Sequence, residues 1–228
     1  MKLEQNRKVI LDLLKNKATL KQNISADTLN IFKLFNECID EEMETLKLHI
    51  KDPRIRLFTK EKGTFDKHVY IGSDVLVFHV HNNVFKLPDD NPLWGTKYFK
   101  EDEDRGFFGV IYIYNFLAQS FLQNRSQDVG YLIGRIMFNN DHHFMIEGNG
   151  QLGTLFRDVE NMVLNKESIK LVVQMAFVFA IEFDMLIPPF EFISEITVED
   201  AQIIGNNSQM QTGKRVGFKM KSDENEII

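Results

Sequence analysis

Phe32, Phe35, Ile39, Met43, Leu46 and Ile50 recur at steps of three or four near the start of the chain. That period puts them on one face of a helix over residues 26–51, with Ser25 as N-cap. The helix should end before Pro53, because the residue preceding a proline is pushed out of the α region. An earlier apolar set, Leu3, Ile10, Leu13 and Leu14, predicts a shorter helix, set apart by a polar linker from Lys15 to Asn23. At 1.5 Å per residue the longer helix would reach about 40 Å. Such a length calls for a partner along it, either the first helix folded back as a hairpin or the same helix of a second subunit.

From Ile55 the pattern turns to strands. Lys67 to Ile71, Asp74 to His81 and Val84 to Leu87 are rich in β-branched and aromatic residues, with Gly72-Ser73 and Asn82-Asn83 as turn signals between them. After a polar connection through Arg105, a strand is expected from Phe107 to Leu117. Tyr131 to Phe138 and His142 to Glu147 then read as a hairpin around Asn139-Asn140-Asp141. Brief turns between successive strands argue for an antiparallel meander.

The last third is ambiguous. Leu155, Phe156, Val159, Met162 and Val163 have helical spacing, so a helix is expected from Thr154 to Leu164, and Asn165 is placed to cap another from Lys166 to about Phe183. Leu171 to Phe179 is apolar nearly all round, which leaves helix and strand both open, with length favouring helix. A final strand from Glu191 to Val198 and a short basic strand around Val216 to Met220 complete the reading. The fold class is α+β: an amino-terminal helical arm (1–52) on a domain (53–228) of central antiparallel meander and carboxy-terminal helices packed on the sheet.

Composition narrows the function. With 228 residues, 43% hydrophobic and 26% charged, the chain can bury a sizeable core unaided. A net charge of −6 opposes general nucleic-acid binding, and the basic cluster Lys214, Arg215, Lys219 and Lys221 reads as a solvated edge. The single cysteine, Cys38, excludes an internal disulfide. Charges within Met1 to Lys17 argue against a signal peptide, and Gln174, Glu182 and Asp184 interrupt the apolar stretch Leu171 to Ile187, so no membrane span and a cytoplasmic location are expected.

Two motifs carry candidate chemistry. Gly148-Asn149-Gly150-Gln151-Leu152-Gly153 has the glycine spacing of a dinucleotide-binding turn, in which backbone approaches a pyrophosphate at a helix N-terminus. Gly148, Gly150 and Gly153, with Glu182 on the ribose hydroxyls, are its candidate cofactor ligands. The competing reading is a plain turn after a hairpin strand. The second motif is a set of histidines. His79 and His81 point to one face of a strand, and His143 and Glu147 share a face of another, which together would offer ligands to zinc, iron or manganese. His79-Val80-His81 resembles the histidine pair of the cupin metal motif, although no acidic ligand follows between Asn82 and Lys86.

Nucleophilic catalysis finds little support. Ser120 lacks the flanking glycines of a nucleophile elbow, and Cys38 has no activating neighbour in sequence. The expectation is therefore a non-enzymatic sensor or adaptor, binding a small ligand or a protein partner and self-associating through the helix 26–51. A nucleotide-binding protein or enzyme and a histidine metalloprotein are the alternatives, and no cofactor is assigned.

Overall fold

A single helical rod opens the chain. In the computed structural model, α1 (Lys2–Leu13) passes through a π-helical turn (Leu14–Ala18) into α2 (Thr19–His49), and Leu13, Ala18 and Thr19 all keep right-handed helical dihedrals. The linker expected from Lys15 to Asn23 is thus helix, and Ser25 lies inside α2 rather than at its cap. No glycine or proline occurs before Pro53 to interrupt the rod. The polar residues that suggested a linker mostly face water, with Lys17 and Lys21 lying over the Phe107 ring. The rod ends at Ile50, whose φ of −95° and ψ of 114° are extended.

The structure describes residues 2–184 and, beyond them, only residues 190, 194, 195, 197 and 198. Of the strand expected at 191–198, residues 194, 195, 197 and 198 are described and none of them is in a strand; the basic strand at 216–220 and the cluster Lys214, Arg215, Lys219 and Lys221 lie outside the described residues.

Among the described residues, seven antiparallel strands follow the rod: β1 (Leu57–Glu61), β2 (Asp66–Ile71), β3 (Asp74–Val80), β4 (Phe85–Lys86), β5 (Phe107–Leu117), β6 (Tyr131–Phe138) and β7 (Phe144–Gly148). Their order is β1-β2-β3-β5-β6-β7, with β4 beside β5. Asn82-Asn83 does not close a hairpin. It kinks the chain so that β3 and β4 both lie along β5, with Val80 opposite Ile111 and Phe85 opposite Phe108. Short helices α3 (Lys97–Glu101), α4 (Ala118–Leu122) and α5 (Leu152–Leu155) sit in the connections, and α6 (Lys166–Glu182) closes the described core.

One helix prediction fails and another holds. The helix expected from Thr154 to Leu164 shortens to α5. The chain beyond it runs along the edge strand β7, where the Phe144 N–H donates to the Met162 carbonyl and the Ile146 N–H to that of Phe156. An edge strand's unpaired backbone groups attract such cover. The ambiguous stretch Leu171 to Phe179 is helical, within α6. Its N-cap is Asn165, whose side chain accepts from the Ser168 N–H while the Ser168 hydroxyl accepts from the Asn165 N–H.

The sheet's two faces differ. Its inner face, including Val69, Leu76, Phe78, Ile111, Ile113 and Phe138, is covered by α2 and α6 in the main core. Phe32, Phe35, Ile39 and Met43 are buried in that core, so the stripe expected to join two subunits through the helix 26–51 is covered by the chain's own sheet. On the outer face, Trp94, Tyr98 and Phe99 cover one end around Phe108 and Val110. Phe58, Phe116 and Phe121 cover the other around Tyr70 and Val75.

Candidate functional site

The glycine turn lies where β7 leaves the sheet. A Cβ on Gly153 would stand 1.9 Å from the carbonyl oxygen of Gly148, and one on Gly148 would stand 2.7 Å from that of Ile133. Gly150 adopts a φ of +57°, which L side chains rarely enter. Close packing and one left-handed residue therefore account for all three glycines. The turn follows an antiparallel strand and leads into α5, a single turn of helix, whereas the dinucleotide arrangement requires a parallel βαβ unit with a full helix.

Beside this turn, the carboxy-terminal half of α6 completes a cavity of about 320 Å³ lined by Gly150, Gln151, Leu152, Met175, Val178, Phe179, Glu182 and Phe183. Gly150 and Glu182 thus come together, while Gly148 and Gly153 pack against each other outside the lining. The walls are largely apolar. The rings of Phe179 and Phe183 lie nearly parallel with centroids 6.4 Å apart, and Tyr131 meets Phe183 at 6.2 Å. Among the described residues the Glu182 carboxylate has no hydrogen bond or ion pair. The cavity offers an aromatic wall, an aliphatic floor and an uncommitted negative charge at its rim. Met175, Val178, Phe179 and Phe183 were not singled out from the sequence, because their spacing on α6 reads equally as core.

The histidines are not brought together. Register runs from His79 to Tyr112, to Arg135, to Glu147, so His79 and Glu147 stand three strands apart, about 14 Å at 4.8 Å per strand. Each has its own partner. His79 Nδ1 lies 2.7 Å from Asp66 Oδ1, His81 Nδ1 accepts from the Asn83 N–H at 3.0 Å, and Glu147 pairs with Arg135. His143 Nδ1 lies 2.9 Å from the Val159 carbonyl oxygen and its ring stacks on Tyr98. Among the described residues, no group of three or more histidine, cysteine or acidic side chains is placed to hold a metal ion.

The register reveals a polar row instead. Asp66, His79, Tyr112, Arg135 and Glu147 cross the outer face on five neighbouring strands, between the two covered ends. Beside it, Tyr112, Tyr114 and Phe116 form an aromatic ladder along β5. Burial raises the Tyr114 hydroxyl above the ordinary tyrosine range, with Tyr112 adding to the effect. The alternation at 112, 114 and 116 was legible as a strand, but which face stays open depends on the loops.

Ser120 and Cys38 are committed to structure. The Ser120 hydroxyl donates to Asp128 Oδ2 at 2.6 Å. Cys38 is fully buried, and burial raises its thiol above the usual range, with Glu41 reinforcing the shift, so the reactive thiolate is disfavoured. Trp94 donates from Nε1 to the Pro88 carbonyl at 2.8 Å and packs edge-on to Phe99, as sheet cover. No described helix is long and apolar enough to cross a membrane. Comparison with protein-family models, with curated proteins and with solved structures gives no match to this chain.

Proposed function

We propose that this protein is a non-enzymatic ligand-binding domain whose ligand is a small apolar molecule carrying a cationic amine, seated between the glycine turn and α6. The observation that carries this reading is the Glu182 carboxylate, which has no partner among the described residues, on a cavity walled by Phe179, Phe183, Leu152, Met175 and Val178. Aromatic faces attract cations through their quadrupole, and a carboxylate at the rim of an apolar cleft favours the same charge. The volume of about 320 Å³ stands at the lower end for small-molecule sites, which suits a ligand of one ring or a short chain. No nucleophile paired with a base lies along the lining, which favours binding over chemistry.

Calorimetric titration with phenethylammonium tests the proposal, with 2-phenylethanol as the neutral counterpart. The amine should bind, the alcohol should bind at least about tenfold more weakly, and Glu182→Gln should bring the two together. Phe179→Ala should weaken both. Equal affinity for amine and alcohol in the wild type, or no binding of either, overturns the reading.

A second reading, a nucleotide at the same cavity, is favoured by the shared lining of Gly150 and Glu182. It expects a melting shift with nucleotides that Gly150→Val abolishes, and no response to the amine.

A further inference from the structure

Among the described residues, the first turns of the rod are exposed, and farther along Asp12, Leu13, Asn16 and Lys17 border a groove with Lys86, Glu103, Asp104 and Phe107. No residue from Lys2 to Lys17 is buried, and Leu3, Val9, Ile10, Leu11, Leu13 and Leu14 are between 48% and 84% exposed. An isolated helix of this length is marginal in water, because most helical stability comes from packing an apolar face. Here that face is present and, among the described residues, largely uncovered. The segment is also basic. Residues 1–18 hold five cations (Lys2, Arg7, Lys8, Lys15, Lys17) against Glu4 and Asp12, a net +3. The whole chain is −6, so the remaining residues carry −9.

We propose that this arm docks on a second copy of the chain, laid along the acidic flank of the partner copy's α2. On that flank Glu37, Asp40, Glu41, Glu42 and Glu44 border an open groove of about 760 Å³. Within the chain, Lys67 takes Asp40 and Lys166 and Lys170 take Glu41. Glu37 has no ion pair among the described residues, and Glu44 meets only the exposed Lys47. An arm of +3 meets a body of −9, and two-fold symmetry repeats the contact in both directions. The charge balance selects this occupant over an anionic bilayer, which would attract the arm and repel the rest of the molecule. It also differs from pairing through Phe35 and Met43, which are buried.

The test is the mass of the full chain in solution by light scattering, for wild type and surface variants. Wild type should run as two chains. Ile10→Asp with Leu14→Asp should run as one chain with the cooperative thermal melting of the domain retained, since both positions are exposed and outside the core. Arg7→Glu with Lys8→Glu should weaken pairing, as should Glu37→Lys with Glu44→Lys. An equimolar mixture of those two charge variants should recover the two-chain mass, because the mixed pair restores both contacts. A one-chain wild type at sub-millimolar concentration overturns the proposal, as does a two-chain mass unchanged in Ile10→Asp/Leu14→Asp. Failure of the mixture to recover overturns it too, and so does co-sedimentation of a one-chain wild type with phosphatidylserine vesicles.

Discussion

Lys67 Nζ on β2 lies 2.8 Å from Asp40 Oδ2 on α2, and this contact ties the sheet to the long helix. The lysine is 2% exposed and the aspartate half exposed, so the cation depends on its partner more than the anion does. Glu61 stands farther off at 3.5 Å, and the Thr59 hydroxyl also donates to Asp40. Lys67 faces inward with Val69 and Ile71, a position that alternation would assign to an apolar residue.

Asp40→Ala should therefore destabilise the fold by about 2 kcal/mol, below the range for a fully buried pair because Asp40 is half solvated. Lys67→Met combined with Asp40→Ala should cost less than Asp40→Ala alone, since the buried charge goes with its partner. Urea denaturation of the three proteins checks the order.

The acidic flank of α2 predicts a pH response. Hydrogen bonds from Lys166 and Lys170 lower the Glu41 carboxyl to about 2, from an ordinary value near 4.5. A depressed folded-state value means that the stabilisation is fully present above the unfolded value and is lost as pH falls through the folded one. Acid unfolding should draw on this group between about pH 4.5 and 2. Glu41→Gln should flatten that part of the stability curve and leave neutral-pH behaviour less sensitive to salt. Thermal melts from neutral pH down to pH 2 at two ionic strengths measure both effects.

Two glycines of the turn should respond unequally to substitution. Gly153→Ala places a methyl 1.9 Å from the Gly148 carbonyl oxygen, so backbone must shift, and a loss above about 2 kcal/mol is expected. Gly150→Ala meets only ordinary contact with Phe179 at 3.4 Å and costs about 1 kcal/mol, through its positive φ. Chemical denaturation of the two variants should give that order. Near-equal losses would show that the close approach of Gly153 to Gly148 is not what holds the turn.

Asn165 caps α6 through a reciprocal pair of hydrogen bonds with Ser168. Asn165→Ala should cost about 1 kcal/mol, and Asn165→Asp should be nearly neutral, because a carboxylate accepts the same bond and favours the helix N-terminus. Hydrogen exchange should show the change first in the initial turn of α6.

Much of the fold was legible in local pattern. Alternation placed Phe107–Leu117 and Tyr131–Phe138 with the bounds observed, and the cap at Asn165 marked the start of α6. β1 was not seen, because Leu57–Glu61 ends in exposed Lys60 and Glu61 and shows little apolar repeat. His142 was assigned to a strand but has a φ of +61°, inside the turn before β7. Of the candidate site, Gly150 and Glu182 were named from the sequence for a phosphate reading. Their shared cavity depends on where α6 crosses the glycine turn, 32 residues later in the chain at Glu182.

What the sequence by itself determined is the set of elements whose stability is local: the period of the long helix, the alternation of the strands, the capping box and the helix stop before Pro53. Each follows from backbone preference and side-chain spacing over a few residues. The tertiary structure decided which faces those elements spend on one another. The stripe from Phe32 to Met43 met the chain's own sheet instead of a partner, and Lys67 found Asp40 from across the core. The polar residues near Lys15 stayed helical because they face water on an unbroken rod, which meets the domain there through Lys17 and Lys21 over Phe107. Phe179 and Glu182 became cavity wall because α6 crosses the glycine turn. Such outcomes rest on contacts between residues far apart in sequence, and a local pattern carries no information about which distant surface will cover it.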